Sequence, residues 1–121
     1  MPEDKRKQVR FPIENTVFIE LVAPEFGSNE PAVIARAKSV EISRDGLRVT
    51  LAQELTAGAI LQIAVELPAD AGTLYLAGEV TWSGPIPGTG DEPAWAAGFA
   101  LLNAEESDIA SWVSLIALME G

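Results

Sequence analysis

The hydrophobic pattern of this chain repeats every second residue in about six separate segments, and every 3.6 residues only near the end. A period of two puts alternate side chains on opposite faces of a strand, whereas 3.6 gathers them on one face of a helix. Thr16 to Val22 is the clearest strand, with Val17, Ile19 and Leu21 alternating against Phe18, Glu20 and Val22. Further strands are predicted at Ala32 to Ile42, Leu47 to Leu51, Ile60 to Leu67, Leu74 to Trp82 and Trp95 to Leu102. Turn chemistry separates them: two prolines bound residues 24–31, Asp45-Gly46 is a hairpin signal, and residues 84–93 are rich in Gly and Pro. After Leu102, the residues Ile109, Trp112, Val113, Ile116 and Met119 share one helical face, and the spacing predicts a helix over 104–119. Asn103 and Glu106 have the spacing of a capping box, with acids clustered in the first turn. Short strands followed by one helix predict an all-β antiparallel barrel or sandwich with the helix packed on it.

At 121 residues the chain is one domain's worth. Residues 1–10 are polar and charged and read as a flexible N-terminal arm, leaving 11–121 for the barrel and its helix. No stretch approaches the roughly 20 apolar residues of a membrane span. The charged N-terminus has no apolar run behind it, so a soluble, cytoplasmic protein with no membrane insertion is expected. Trp82, Trp95 and Trp112 each lie in an apolar-patterned segment and are expected in the core.

Histidine and cysteine are both absent. That excludes a histidine base, a cysteine nucleophile, a Cys/His zinc site and a disulfide framework. The remaining candidates for chemistry are weak. Glu105/Glu106 and Asp91/Glu92 are sequence neighbours that rarely converge on one substrate. Gly88-Thr89-Gly90 lacks the helix and the Lys-Ser/Thr of a phosphate loop. The sequence therefore reads as a non-enzyme without a cofactor.

Charge is distributed unevenly. All eight basic residues fall in residues 1–48, where eight acidic ones balance them; residues 49–121 hold ten acidic residues and no basic one. A body with net charge −10 repels polyanions, so no nucleic-acid polymer is expected as partner. The cations form two clusters, Lys5, Arg6, Lys7 and Arg10, then Arg36, Lys38, Arg44 and Arg48. Local cationic patches on an acidic body suit a small anion.

Both clusters contain a spacing of interest. Arg6 to Arg10 is R-x-x-x-R, and Glu41 to Gly46 is E-x-S-x-x-G. Arginine presents a rigid fork that grips phosphate or a guanine edge bidentately. On a strand Glu41 and Ser43 share one face while Ile42 points to the core. Gly46 is expected to supply a positive φ for the turn. By the same parity Arg36 and Lys38 would point inward with Ile42 unless a bulge intervenes. A guanine nucleotide uses every part: a carboxylate accepts from its N1–H and N2–H, and Arg and Ser satisfy O6, N7 and the phosphates.

Taken together, these residues resemble the PilZ domain, the bacterial receptor module for cyclic di-GMP. About thirty residues separate Arg10 from Glu41, a strand ends at Trp82, and Gly98-Phe99 lies in the last strand before the helix, so the resemblance covers nearly the whole chain. It implies a small six-stranded antiparallel β-barrel with a C-terminal α-helix, and cyclic di-GMP as ligand. It also implies a ligand set of Arg6, Arg10, Glu41, Ser43 and Gly46, to which Lys5 and Arg44 are added as neighbouring cations. The arm would close over the nucleotide, and a downstream protein would read the new surface. The family has Asp or Asn where this chain has Glu41, which carries its carboxylate about 1.5 Å further. The alternative is a PilZ-like domain that binds no nucleotide and acts through protein contacts in pilus or motility assembly.

Overall fold

The alternating segments close into one sheet. The computed structural model describes residues 9–22, 33–87 and 94–121. Its strands are β1 (Thr16–Val22), β2 (Val33–Ser43), β3 (Gly46–Leu51), β4 (Ile60–Glu66), β5 (Thr73–Pro85) and β6 (Trp95–Leu101), followed by the helix α1 (Ile109–Glu120). Every neighbouring pair is antiparallel, and the order β1-β2-β3-β6-β5-β4 closes on itself through β1 and β4. The expected barrel is therefore the architecture, and the sandwich is not. Closure leaves none of the six strands with an unpaired edge.

One face of each strand fills the barrel. Val17 and Ile19, Leu47 and Val49, Ile63 and Val65, and Ala97 and Phe99 are all buried. Trp112 and Ile116 of α1 are fully buried with them, so the helix packs on the barrel as its apolar stripe predicts. The indole N–H of Trp112 donates to the Ser43 carbonyl at 2.9 Å. This bond ties α1 to the end of β2.

The helix starts at Ile109 rather than near 104, and the expected capping box does not form. The chain first runs beside β5: Leu102 N–H donates to Ala77, Asp108 N–H donates to Tyr75, and the Asp108 carboxylate accepts from Tyr75 N–H. These bonds to the sheet outcompete an earlier helical turn, and Glu105 and Glu106 fall before the helix. β5 also outlasts its expected end at Trp82, because Ser83, Gly84 and Pro85 pair with Ala97, Ala96 and Trp95 of β6.

Two bulges reset which residues face outward. In β2 the register slips between Ser39 and Glu41, leaving Val40 as the extra residue against β3. Ahead of the slip Ala35, Ala37 and Ser39 point inward and Arg36 and Lys38 outward; beyond it Ile42 points inward. In β5 a second slip between Val80 and Trp82 leaves Thr81 extra against β6. Such bulges re-aim side chains at the cost of one unpaired residue.

Candidate functional site

The segment before β1 is stapled to β2. Phe11 and Ile42 exchange two backbone hydrogen bonds of 2.8 Å. The buried Ser39 hydroxyl donates to Ile13 carbonyl at 2.6 Å and accepts from Asn15 N–H at 2.8 Å. Arg10 thus stands one residue from an anchored position, and its guanidinium reaches the Glu41 carboxylate at 3.6 Å.

The row of residues across the wall follows from the register. Glu41 of β2 lies opposite Arg48 of β3, Arg48 opposite Gly98 of β6, and Gly98 opposite Trp82 of β5. The Val40 bulge points Glu41 into this row, and the Thr81 bulge does the same for Trp82. Gly98 has no side chain, so the groups on either side meet above it. A Cβ there would stand 3.0 Å from two carbons of the Trp82 indole. The Arg48 guanidinium carbon lies over that indole, 5.1 Å from the ring centroid. Trp82 is therefore not a core residue: it is 39% exposed on the outer wall. Trp112 does occupy the core, and Trp95 is half-buried against it.

A groove of about 250 Å³ runs along this wall, and Arg10, Glu41, Ser43, Gly46, Arg48, Trp82 and Gly98 are among the residues that line it. Ser43 is nearly buried, and its hydroxyl has only long contacts, 3.4 Å to Asp45 and 3.3 Å to the Gly46 carbonyl. That hydroxyl is available to a better acceptor.

Gly46 is needed for a different reason than the expected one. Positive φ among the described glycines is confined to Gly58, Gly72 and Gly121. At Gly46 an added Cβ would sit 2.8 Å from the Phe99 carbonyl oxygen, a backbone neighbour that cannot swing aside. The glycine lets the β2–β3 hairpin lie close against β6.

Four of the expected residues, Arg10, Glu41, Ser43 and Gly46, thus meet in one groove. Arg44 is turned elsewhere, pairing its guanidinium with the Glu120 carboxylate at the end of α1. Lys5 and Arg6, with most of the expected arm, lie outside the described residues, as do residues 23–32 and 88–93. In the sequence Arg48 stands only as a member of the second cation cluster, and Trp82 as an expected core residue. For Arg48 the sequence signal was the register counted outward from the Ser43–Gly46 turn, whereas the Thr81 slip hides the outward position of Trp82. Among the described residues no group of three or more acidic side chains is arranged to hold a metal ion. No helix among them is long and apolar enough to cross a membrane.

A PilZ domain family model matches residues 4–118. The chain belongs to the PilZ domain family. Members of that family are nucleotide-binding receptors. Solved structures share the fold at low identity. The PilZ domain of YcgR from Escherichia coli, solved with c-di-GMP, has a TM-score of 0.66 at 15% identity, covering 97% of this chain and 92% of that one. The Bacillus subtilis inhibitor of motility MotI/DgrA has a TM-score of 0.66 at 18% identity, covering 98% of this chain and 52% of that one. PlzA of Borreliella burgdorferi, solved with c-di-GMP, has a TM-score of 0.58 at 12% identity, covering 96% and 52%. The chain thus spans about half the length of MotI and PlzA. A comparison with curated proteins gives no match.

Proposed function

We propose that this PilZ domain is a receptor for cyclic di-GMP that passes the ligand's presence to a partner protein. The observation that carries the reading is the meeting of Arg10, Glu41, Ser43 and Gly46 in one open groove, from two motifs about thirty residues apart. Each group suits one part of the nucleotide. Arg10 donates to a phosphate or to guanine O6 and N7, Glu41 accepts from guanine N1–H and N2–H, and the Ser43 hydroxyl donates to phosphate or base. Arg6, with Lys5 beside it, supplies the second fork from the N-terminal segment. Arg44 is spoken for by Glu120 and has a secondary part at most.

The energetics favour exchange of partners. The Arg10–Glu41 pair is solvent-exposed at Arg10, and such pairs contribute only about 0–1 kcal/mol. A ligand that gives both groups new partners therefore loses little by separating them. Micromolar binding requires about −8 kcal/mol, and charge-assisted hydrogen bonds contribute about 1.5–3 kcal/mol each. Several such contacts must form together, so losing one arginine fork is enough to remove micromolar affinity.

Calorimetric titration of cyclic di-GMP into the wild type and Arg10→Ala tests this. The expected result is saturable heat for the wild type and at least tenfold weaker binding for the variant. Equal heats, or none, would favour the other reading, a PilZ domain acting through protein contacts alone. Glu41, in the position of the family's Asp or Asn, is the feature that speaks for it.

A further inference from the structure

Arg48 differs from the other cations of this wall. Arg10 is paired with Glu41, and Arg44 with Glu120, whereas Arg48 forms no ion pair with any described residue. Its guanidinium instead lies over Trp82, and the Trp82 indole in turn rests above Gly98, where any Cβ would collide with it. The side chains are held by register: Arg48 and Trp82 both lie opposite Gly98, from the two strands that flank β6. Both line the groove. Arginine stacks on aromatic faces, and nucleobases stack on guanidinium planes. An exposed arginine already fixed on an indole keeps its second face open to solvent and loses little further freedom when a base covers it.

We propose that Arg48 is the stacking surface for one guanine base of the ligand, so that Trp82, Arg48 and the base form a three-layer stack on the barrel wall. The proposal rests on the cyclic di-GMP reading and adds a contact that neither motif contains. The face of the base goes to Arg48, and its edge then lies toward Glu41, the cross-strand neighbour of Arg48. Gly98 serves as the floor, which assigns a role to a glycine in the middle of a strand.

The test uses the full chain with cyclic di-GMP as titrant, following affinity as a function of salt. Arg48→Lys keeps the charge and removes the planar face. It is expected to bind about tenfold more weakly than the wild type, with the same salt dependence, because stacking and not charge has been lost. Arg10→Ala, by contrast, is expected to lower both affinity and salt slope. Trp82→Leu removes the support and is expected to weaken binding by a similar factor, while the Arg48→Lys/Trp82→Leu double variant loses little beyond either single one. Both positions are on the outer wall, so the melting curves report whether the barrel is intact. Wild-type binding with Arg48→Lys within twofold of it would overturn the stack and leave the receptor reading standing. No binding by the wild type would overturn both.

Discussion

Ser39 touches no part of the groove, yet its hydroxyl helps to hold the segment that presents Arg10. Its hydroxyl links two backbone groups, Asn15 N–H and Ile13 C=O, to β2, beside the Phe11–Ile42 bonds and the bond from Ser39 N–H to the Asn15 carbonyl. Ser39→Ala removes one oxygen and leaves both groups without that partner. Each unsatisfied buried group costs about 1–3 kcal/mol. Both backbone groups are only partly buried, and water recovers some of this, so about 2 kcal/mol is expected. For a two-state domain with a urea slope of about 1–3 kcal/mol/M, the midpoint falls by roughly 1 M with the slope unchanged. The functional consequence follows from chain entropy. Residues 12–14, between the retained backbone bonds of Phe11 and Asn15, are loosened, and restoring their order on binding costs about 1–2 kcal/mol for each residue that must be fixed again. Cyclic di-GMP affinity should therefore fall by roughly fivefold, the equivalent of about 1 kcal/mol, although Ser39 lies outside the groove. The assay is urea unfolding followed by fluorescence, with calorimetry on the same samples. A midpoint within about 0.3 M of the wild type, together with unaltered affinity, would refute the stapling argument.

The remaining substitutions act at other points of the same wall. Gly46→Ala drives a Cβ against the Phe99 carbonyl at 2.8 Å and should destabilise the barrel by about 1–3 kcal/mol, measured by thermal melting. Trp112→Phe leaves the Ser43 carbonyl without its buried donor and should cost about 2–4 kcal/mol in urea unfolding; a loss below 1 kcal/mol would mean the bond is replaceable. Arg44→Ala breaks an ion pair at the surface and should change stability by less than about 1 kcal/mol, and cyclic di-GMP affinity by less than about threefold in calorimetry.

The elements that depend on local pattern were legible in the sequence, and those that depend on distant pairing were not. Thr16–Val22 is a strand with the bounds its alternation predicts, because Val17 and Ile19 have only one face to offer the core. The apolar stripe of α1 likewise announces Trp112 and Ile116 as its buried residues. That helix starts later than its spacing predicts, since the bonds holding Asp108 to Tyr75 come from a strand 33 residues earlier in the chain. Bulges hid the most. A strict period of two turns Arg36 and Lys38 inward, and only the extra residue Val40 restores them to the surface. For Trp82 the local pattern says core, but the slip at Thr81 and the bare backbone of Gly98 put the ring on the outer wall. Glu41, Ser43 and Gly46 could be found from their spacing alone. That Arg10 meets them depended on the Phe11–Ile42 bridge, and the divergence of Arg44 on the approach of Glu120.

The groove itself can be mapped residue by residue. Cyclic di-GMP titrated into isotope-labelled protein should move the amide signals of Arg10, Glu41, Ser43, Gly46 and Arg48 and the indole signal of Trp82. Phe18, Ile34, Gln62 and Tyr75, which line a separate hollow formed by β1, β2, β4 and β5, should stay where they are. Shifts centred on that second hollow, or spread evenly over the barrel, would contradict a binding wall built from β2, β3, β5 and β6.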